Sequence, residues 1–134
     1  MAKTPLKTQA PDPAILVETY RAEAGAKPQD VLAQAGLGWG LYGAGQYAEA
    51  ARQFERVLAL DMNYLDAHYG LGLANKALGH KEPAVAAFDR VAKLASQIDD
   101  KIRGTMLRRL AHGHVNEINA GDWQLADEIW HREA

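Results

Sequence analysis

A chain of 134 residues with 48% apolar residues has the material for one packed domain, which excludes global disorder. Its net charge of -2 supplies no general positive field for nucleic acid or an anionic membrane. The absence of cysteine excludes a disulfide framework and a thiolate nucleophile.

Residues 1–12 combine Pro5 and Pro11 with Lys3 and Lys7, which predicts a flexible arm. No apolar stretch follows these charges as in a secretory signal, and no window approaches the roughly 18 apolar residues of a membrane span, so a cytoplasmic protein is expected. Asp12 followed by Pro13 is a helix start, and Leu16, Tyr20 and Ala24 fall four apart on one face. Gly25 and Pro28 should end that helix. Asp30 caps a second, to about residue 44, and Gly45 breaks it. A third runs over about 47–60, and Asn63 is placed to cap a fourth that reaches Leu78. Gly79 breaks again, and a fifth covers about 81–96 with Pro83 tolerated in its first turn. After Asp99 and Asp100 a longer helix is expected to Ala120, closed by Gly121, and a last segment over 122–134 carries Trp123, Ala126 and Trp130. Helical spacing recurs throughout and strand alternation does not, so the fold class is all-α.

One step recurs through these elements. Leu37-Gly38 returns as Leu71-Gly72, Gly45 as Gly79, Ala50 as Ala84 and Phe54 as Phe88, each 34 residues later. A fixed period of this length marks stacked helical hairpins. Each repeated residue has a packing reason. The small residue after each leucine admits a close helix, the break glycine tolerates positive φ, the alanine leaves room and the aromatic fills it. Gly121, Trp123, Ala126 and Trp130 lie 42 residues after Gly79, Lys81, Ala84 and Phe88, so the third unit carries a surplus of about two helical turns.

On these residues, with Tyr47 added to the first unit, the chain resembles the tetratricopeptide repeat family. The resemblance implies a right-handed array of two full and two partial repeats in one domain over 13–134. Its parts are a partial repeat or cap helix over 13–30, repeats over 31–64 and 65–98, and an extended repeat or C-terminal cap over 99–134. Leu16, Tyr20 and Pro28 keep the offsets of a second helix whose first helix is missing. The family's frequent tryptophan is replaced by Gln34 and His68, its tyrosine by Leu41 and Asn75, and its closing proline by Met62 and Ser96.

In that family the first helices line a concave groove that holds a peptide. The matching positions are Leu32, Ala35, Trp39 and Tyr42, then Asp66, Tyr69, Leu73 and Lys76, then Arg108, Ala111, Val115 and Ile118. Trp39, Tyr42, Tyr69 and Leu73 form an apolar strip suited to anchoring a partner, with Asp66, Lys76 and Arg108 setting polarity. The strip is otherwise expected to be covered by the chain's own N-terminal arm, by its extended third-unit helix, or by a second copy. The clamp that holds chaperone C-termini is not expected, because Ala35, Trp39, Tyr69 and Leu73 stand in its places. Leu41-Tyr42, Gly45-Gln46-Tyr47, Leu60-Asp61 and Gly70-Leu71-Gly72 also resemble the small chaperones of type III secretion translocators, which hold an extended apolar client segment.

Catalysis is not expected. His112 and His114 lie about 200° apart on a helix, and His114 with Glu117 makes only two metal ligands on a shared face. Gly36, Gly38, Gly40 and Gly43 lack the Gly-Lys-Ser/Thr of a phosphate loop and read as close helix packing. Lys101, Arg103, Arg108 and Arg109 read as a solvated face rather than a contact for an acidic partner or RNA backbone, and the lack of an interleaved aromatic weakens the RNA reading further. The reading is a non-catalytic adaptor or assembly factor with a protein or peptide partner, no nucleic acid, no cofactor and no metal. The alternatives are a fixed or self-associating subunit, through the groove or through Ile129 and Trp130, and a secretion-type client chaperone.

Overall fold

The computed structural model describes residues 12–121. The N-terminal arm and the segment with Trp123, Ala126, Ile129 and Trp130 lie outside the described residues. Six helices follow in order: α1 (Pro13–Ala26), α2 (Val31–Gly43), α3 (Tyr47–Leu60), α4 (Leu65–Ala77), α5 (Lys81–Ala95) and α6 (Lys101–Ala120). Each packs on the next, and α2 also lies against α4, so the chain is an all-α array of helical hairpins. None of these helices is long and apolar enough to cross a membrane.

Local chemistry explains most of the boundaries. Asp12 accepts the N–H of Ala14, Asp30 those of Leu32 and Ala33, and Asp100 that of Arg103, each satisfying orphan donors of a first turn. Gly45 and Gly79 take φ of 80° and 78°. The following N–H groups, of Gln46 and His80, reach back to the carbonyls of Leu41 and Asn75 at 2.9 Å, which closes a Schellman turn after α2 and α4. Gly121 takes φ of 90° and closes α6.

Two boundaries differ from the sequence expectation. Gly25 does not end α1, which runs to Ala26. It lacks the positive φ that makes glycine a helix stop. Asn63 is not the cap of α4, which starts after Tyr64 without a side-chain cap. The Asn63 carboxamide oxygen accepts instead from Arg90 Nη2 at 3.2 Å, tying the α3–α4 turn to α5.

The core follows the 34-residue step. Phe54 and Phe88 are fully buried, each wedged between its own hairpin and the next helix. Glycine makes that possible. A Cβ on Gly38 would stand 2.7 Å from the Phe54 ring, one on Gly70 2.3 Å, and one on Gly72 2.8 Å from the Phe88 ring. Tyr20, 34 residues before Phe54, lies over Gly36 and Gly40 in the same way, so α1 takes the place of a second helix. The surplus of the third unit is helix rather than loop, because α6 is continuous over 20 residues while α2 and α4 have 13 each.

Candidate functional site

The four apolar candidates come from α2 and α4, and all are partly buried. Trp39 stands edge-on to Phe54, with ring centroids 5.0 Å apart, and edge-on to Tyr42 at 6.0 Å. Its indole N–H donates to Asp66 Oδ2 at 2.7 Å, fastening α2 to α4. Tyr42 also leans on Tyr47 at 5.2 Å. Burial, and then the nearness of Tyr42, raise the Tyr69 phenol above its ordinary value. Tyr42 and Tyr69 stand on α2 and α4, which pack against each other, and Leu73 follows one turn beyond Tyr69 along α4.

Beyond Leu73 the surface becomes polar. Lys76 Nζ donates to His114 Nδ1 at 3.0 Å and to Glu117 Oε1. The Tyr69 hydroxyl lies 3.1 Å from His114 Nε2. An ammonium only donates, so His114 Nδ1 is the acceptor and Nε2 carries the proton toward Tyr69. His114 also stacks on Phe88, ring centroids 4.6 Å apart and planes 8° from parallel. Burial, reinforced by the Lys76 charge and opposed by Glu117, lowers the His114 ring to about 4, so it is neutral at pH 7. The shared face of His114 and Glu117 thus serves Lys76.

The other proposed groove positions separate. Leu32 is 72% exposed at the start of α2, while Ala35 and Ala111 are buried in the core and offer no surface. Val115 and Ile118 are partly buried against the cluster around Phe88, as Tyr69 and Leu73 are. Arg108 lines a small depression with Ser96, Ile98 and Lys101 at the α5–α6 turn. The reason is register. Gly70 faces Phe54 from the following helix, and the residue that faces Phe88 from α6 is His114, 44 positions after Gly70 rather than 42. The step of 42 comes from Gly121, Trp123, Ala126 and Trp130, of which Gly121 alone lies among the described residues. The residue stacked on Phe88 thus sits two positions beyond the one that step gives, about 200° around α6. His114 and Glu117, which that step did not select, are the α6 residues that meet Lys76.

The positions that depart from the tetratricopeptide pattern have their own work. Gln34 donates its side-chain amide to the carbonyls of Ala24 at 2.9 Å and Lys27 at 3.2 Å, satisfying the end of α1. His68 lies 2.9 Å from the Met62 carbonyl, one residue beyond the C-cap of α3. Buried Asn75 lies beside His80 at 3.4 Å. Among the described residues no three His, Asp or Glu side chains converge as a metal site.

Two family models match the chain. A TPR repeat model covers residues 41–79 and a tetratricopeptide repeat model covers residues 66–97. No curated protein matches it.

Proposed function

From a chain that belongs to the tetratricopeptide repeat family, a family of protein–protein interaction modules, we infer a non-catalytic adaptor or assembly factor that holds an extended peptide across α2, α4 and α6. The observation that carries this reading is the continuous half-exposed strip of Trp39, Tyr42, Tyr69 and Leu73, held rigid by the Trp39–Asp66 bond and the contact with Phe54. Rigid aromatic groups offer contact area at low entropic cost, which is what anchors an incoming chain.

The polar end gives the groove a direction. Apolar side chains of the occupant would lie on the α2–α4 seam, and its polar end would meet Lys76, Glu117 and the Tyr69 hydroxyl. Because Lys76 is already neutralised by Glu117, the site favours an apolar segment over an acidic tail. The likeness to secretion chaperones points to the same kind of client.

The test is capture of partners from native lysate on wild type, on Tyr42→Ala/Leu73→Ala and on Arg103→Ala. Unfolding is measured for each protein. Trp39 is left in place because it also supports Phe54. A partner held by wild type and Arg103→Ala, and lost from the folded double variant, supports the reading. Equal capture by all three overturns it.

A further inference from the structure

We propose a second binding site on the other side of α2, a furrow between α1 and α3 that takes an acidic peptide segment. Leu37 and Leu41 form its floor, and Trp39 lies about 160° around the helix from Leu41, so the furrow and the aromatic strip do not share a surface. It has a volume of about 720 Å³, within the range of ligand pockets.

The furrow exists because of small residues in α1. Ala24 and Gly25 stand 34 positions before Leu58 and Ala59, and Pro28 stands 34 before Met62. Where α3 carries Leu58, α1 carries only Ala24. A Cβ on Gly25 would have no neighbour within 4 Å. Across the opening the span is an exposed ion pair, Arg21 with Glu49 at 3.4 Å.

Two features say what fits. Arg52 and Arg56, one turn apart on α3, line the furrow with no ion-pair or hydrogen-bond partner among the described residues. With Arg21 matched by Glu49, they face only Glu55, so the charge of the site is positive in a chain that is negative overall. Paired guanidinium forks match carboxylates. The second feature is the Gln53 side chain, 5% exposed. Its amide donates to the backbone oxygen of Gln34 at 2.9 Å and to Gln34 Oε1 at 2.8 Å, and both partners only accept, so its orientation is fixed. Gln53 Oε1 then has no partner among the described residues and faces the furrow, where it can accept a peptide N–H. A carboxylate on Arg52 and Arg56, a backbone N–H on Gln53 and an apolar side chain over Leu37 describe one occupant. The chain's own residues 1–11 carry Lys3 and Lys7 and no acid, the wrong charge for it.

The experiment is fluorescence anisotropy with two labelled peptides, one alternating leucine and glutamate and one alternating leucine and lysine. They are titrated into the full chain and three variants: Arg52→Glu/Arg56→Glu, Gly25→Leu and Tyr42→Ala/Leu73→Ala. Gly25→Leu fills the furrow and leaves every charge in place, on a helix with open space beside it. The expected result is saturable binding of the glutamate peptide alone, weakened at least tenfold by the arginine pair and by Gly25→Leu, and unchanged in the Tyr42/Leu73 variant. Loss with the arginine pair but not with Gly25→Leu would reduce the site to surface charge and overturn the proposal. So would no saturable binding, equal binding of both peptides, or loss confined to the Tyr42/Leu73 variant.

Discussion

His114 stacks on Phe88 while its two nitrogens are taken by Lys76 and Tyr69, so one ring closes the core of the second hairpin and ties α6 to α4. Its protonation is opposed by burial and by Lys76, which lowers its value to about 4 from an ordinary 6.5. The unfolded chain therefore takes up the proton first. The contribution to stability is whole above pH 6.5 and is lost as pH falls toward 4, with a slope of at most about 1.4 kcal/mol per pH unit for one proton. Urea unfolding of wild type and His114→Gln between pH 7.5 and 4.5 checks it. The difference between the two proteins should shrink on acidification, and a constant difference refutes the assignment.

Gly70 is packed against the Phe54 ring with no room for a methyl group. Gly70→Ala should destabilise by about 1–3 kcal/mol through overpacking, although alanine is the better helix former. Gly43 has open space beside it and is the control. Gly43→Ala should stabilise by about 0.5–1 kcal/mol. Thermal unfolding of both variants reads the opposite signs directly.

Gln34 closes the last turn of α1 and accepts from Gln53, all in buried surroundings. Gln34→Leu leaves the buried Ala24 carbonyl without its partner, at about 1–3 kcal/mol, while the Gln53 amide keeps the Gln34 backbone oxygen and the Lys27 carbonyl keeps the Asp30 N–H. The loss should appear first as fraying of α1, because its end is held there. Amide exchange by mass spectrometry should show α1 losing protection while α4 and α5 keep theirs, and uniform loss across all helices would contradict it.

The turn glycines carry a different cost. Gly45→Ala and Gly79→Ala force a Cβ into the left-handed region, at about 1–2 kcal/mol each. Neither has a neighbour in the way, so the penalty is conformational rather than steric. Urea midpoints of the two single variants and the double should show costs that add, since the turns lie in separate hairpins.

Much of the array was legible because its determinants are local and repeat. Asp12 and Asp30 cap the helices they were expected to cap, and Gly45, Gly79 and Gly121 turn the chain with positive φ. The 34-residue return of Phe54 as Phe88, and the offset of Tyr20, mark hairpins whose aromatics need a small residue opposite. The sequence by itself determined the helices, the turns and the repeat they build, since each depends on residues a few positions apart.

Only the tertiary structure decided what crosses between units. The α6 register rests on a stack between Phe88 and His114, which puts His114 and Glu117 at Lys76 and takes Arg108 to the α5–α6 turn. Gln34, a departure from the repeat pattern, proves to close α1 and to orient Gln53. The furrow beside them is an absence of volume, set by Ala24 and Gly25 where α3 carries larger side chains. Periodicity fixes which face of a helix is apolar, but a shift of two residues turns a helix by about 200°, and only packing against the neighbouring helix selects among such settings.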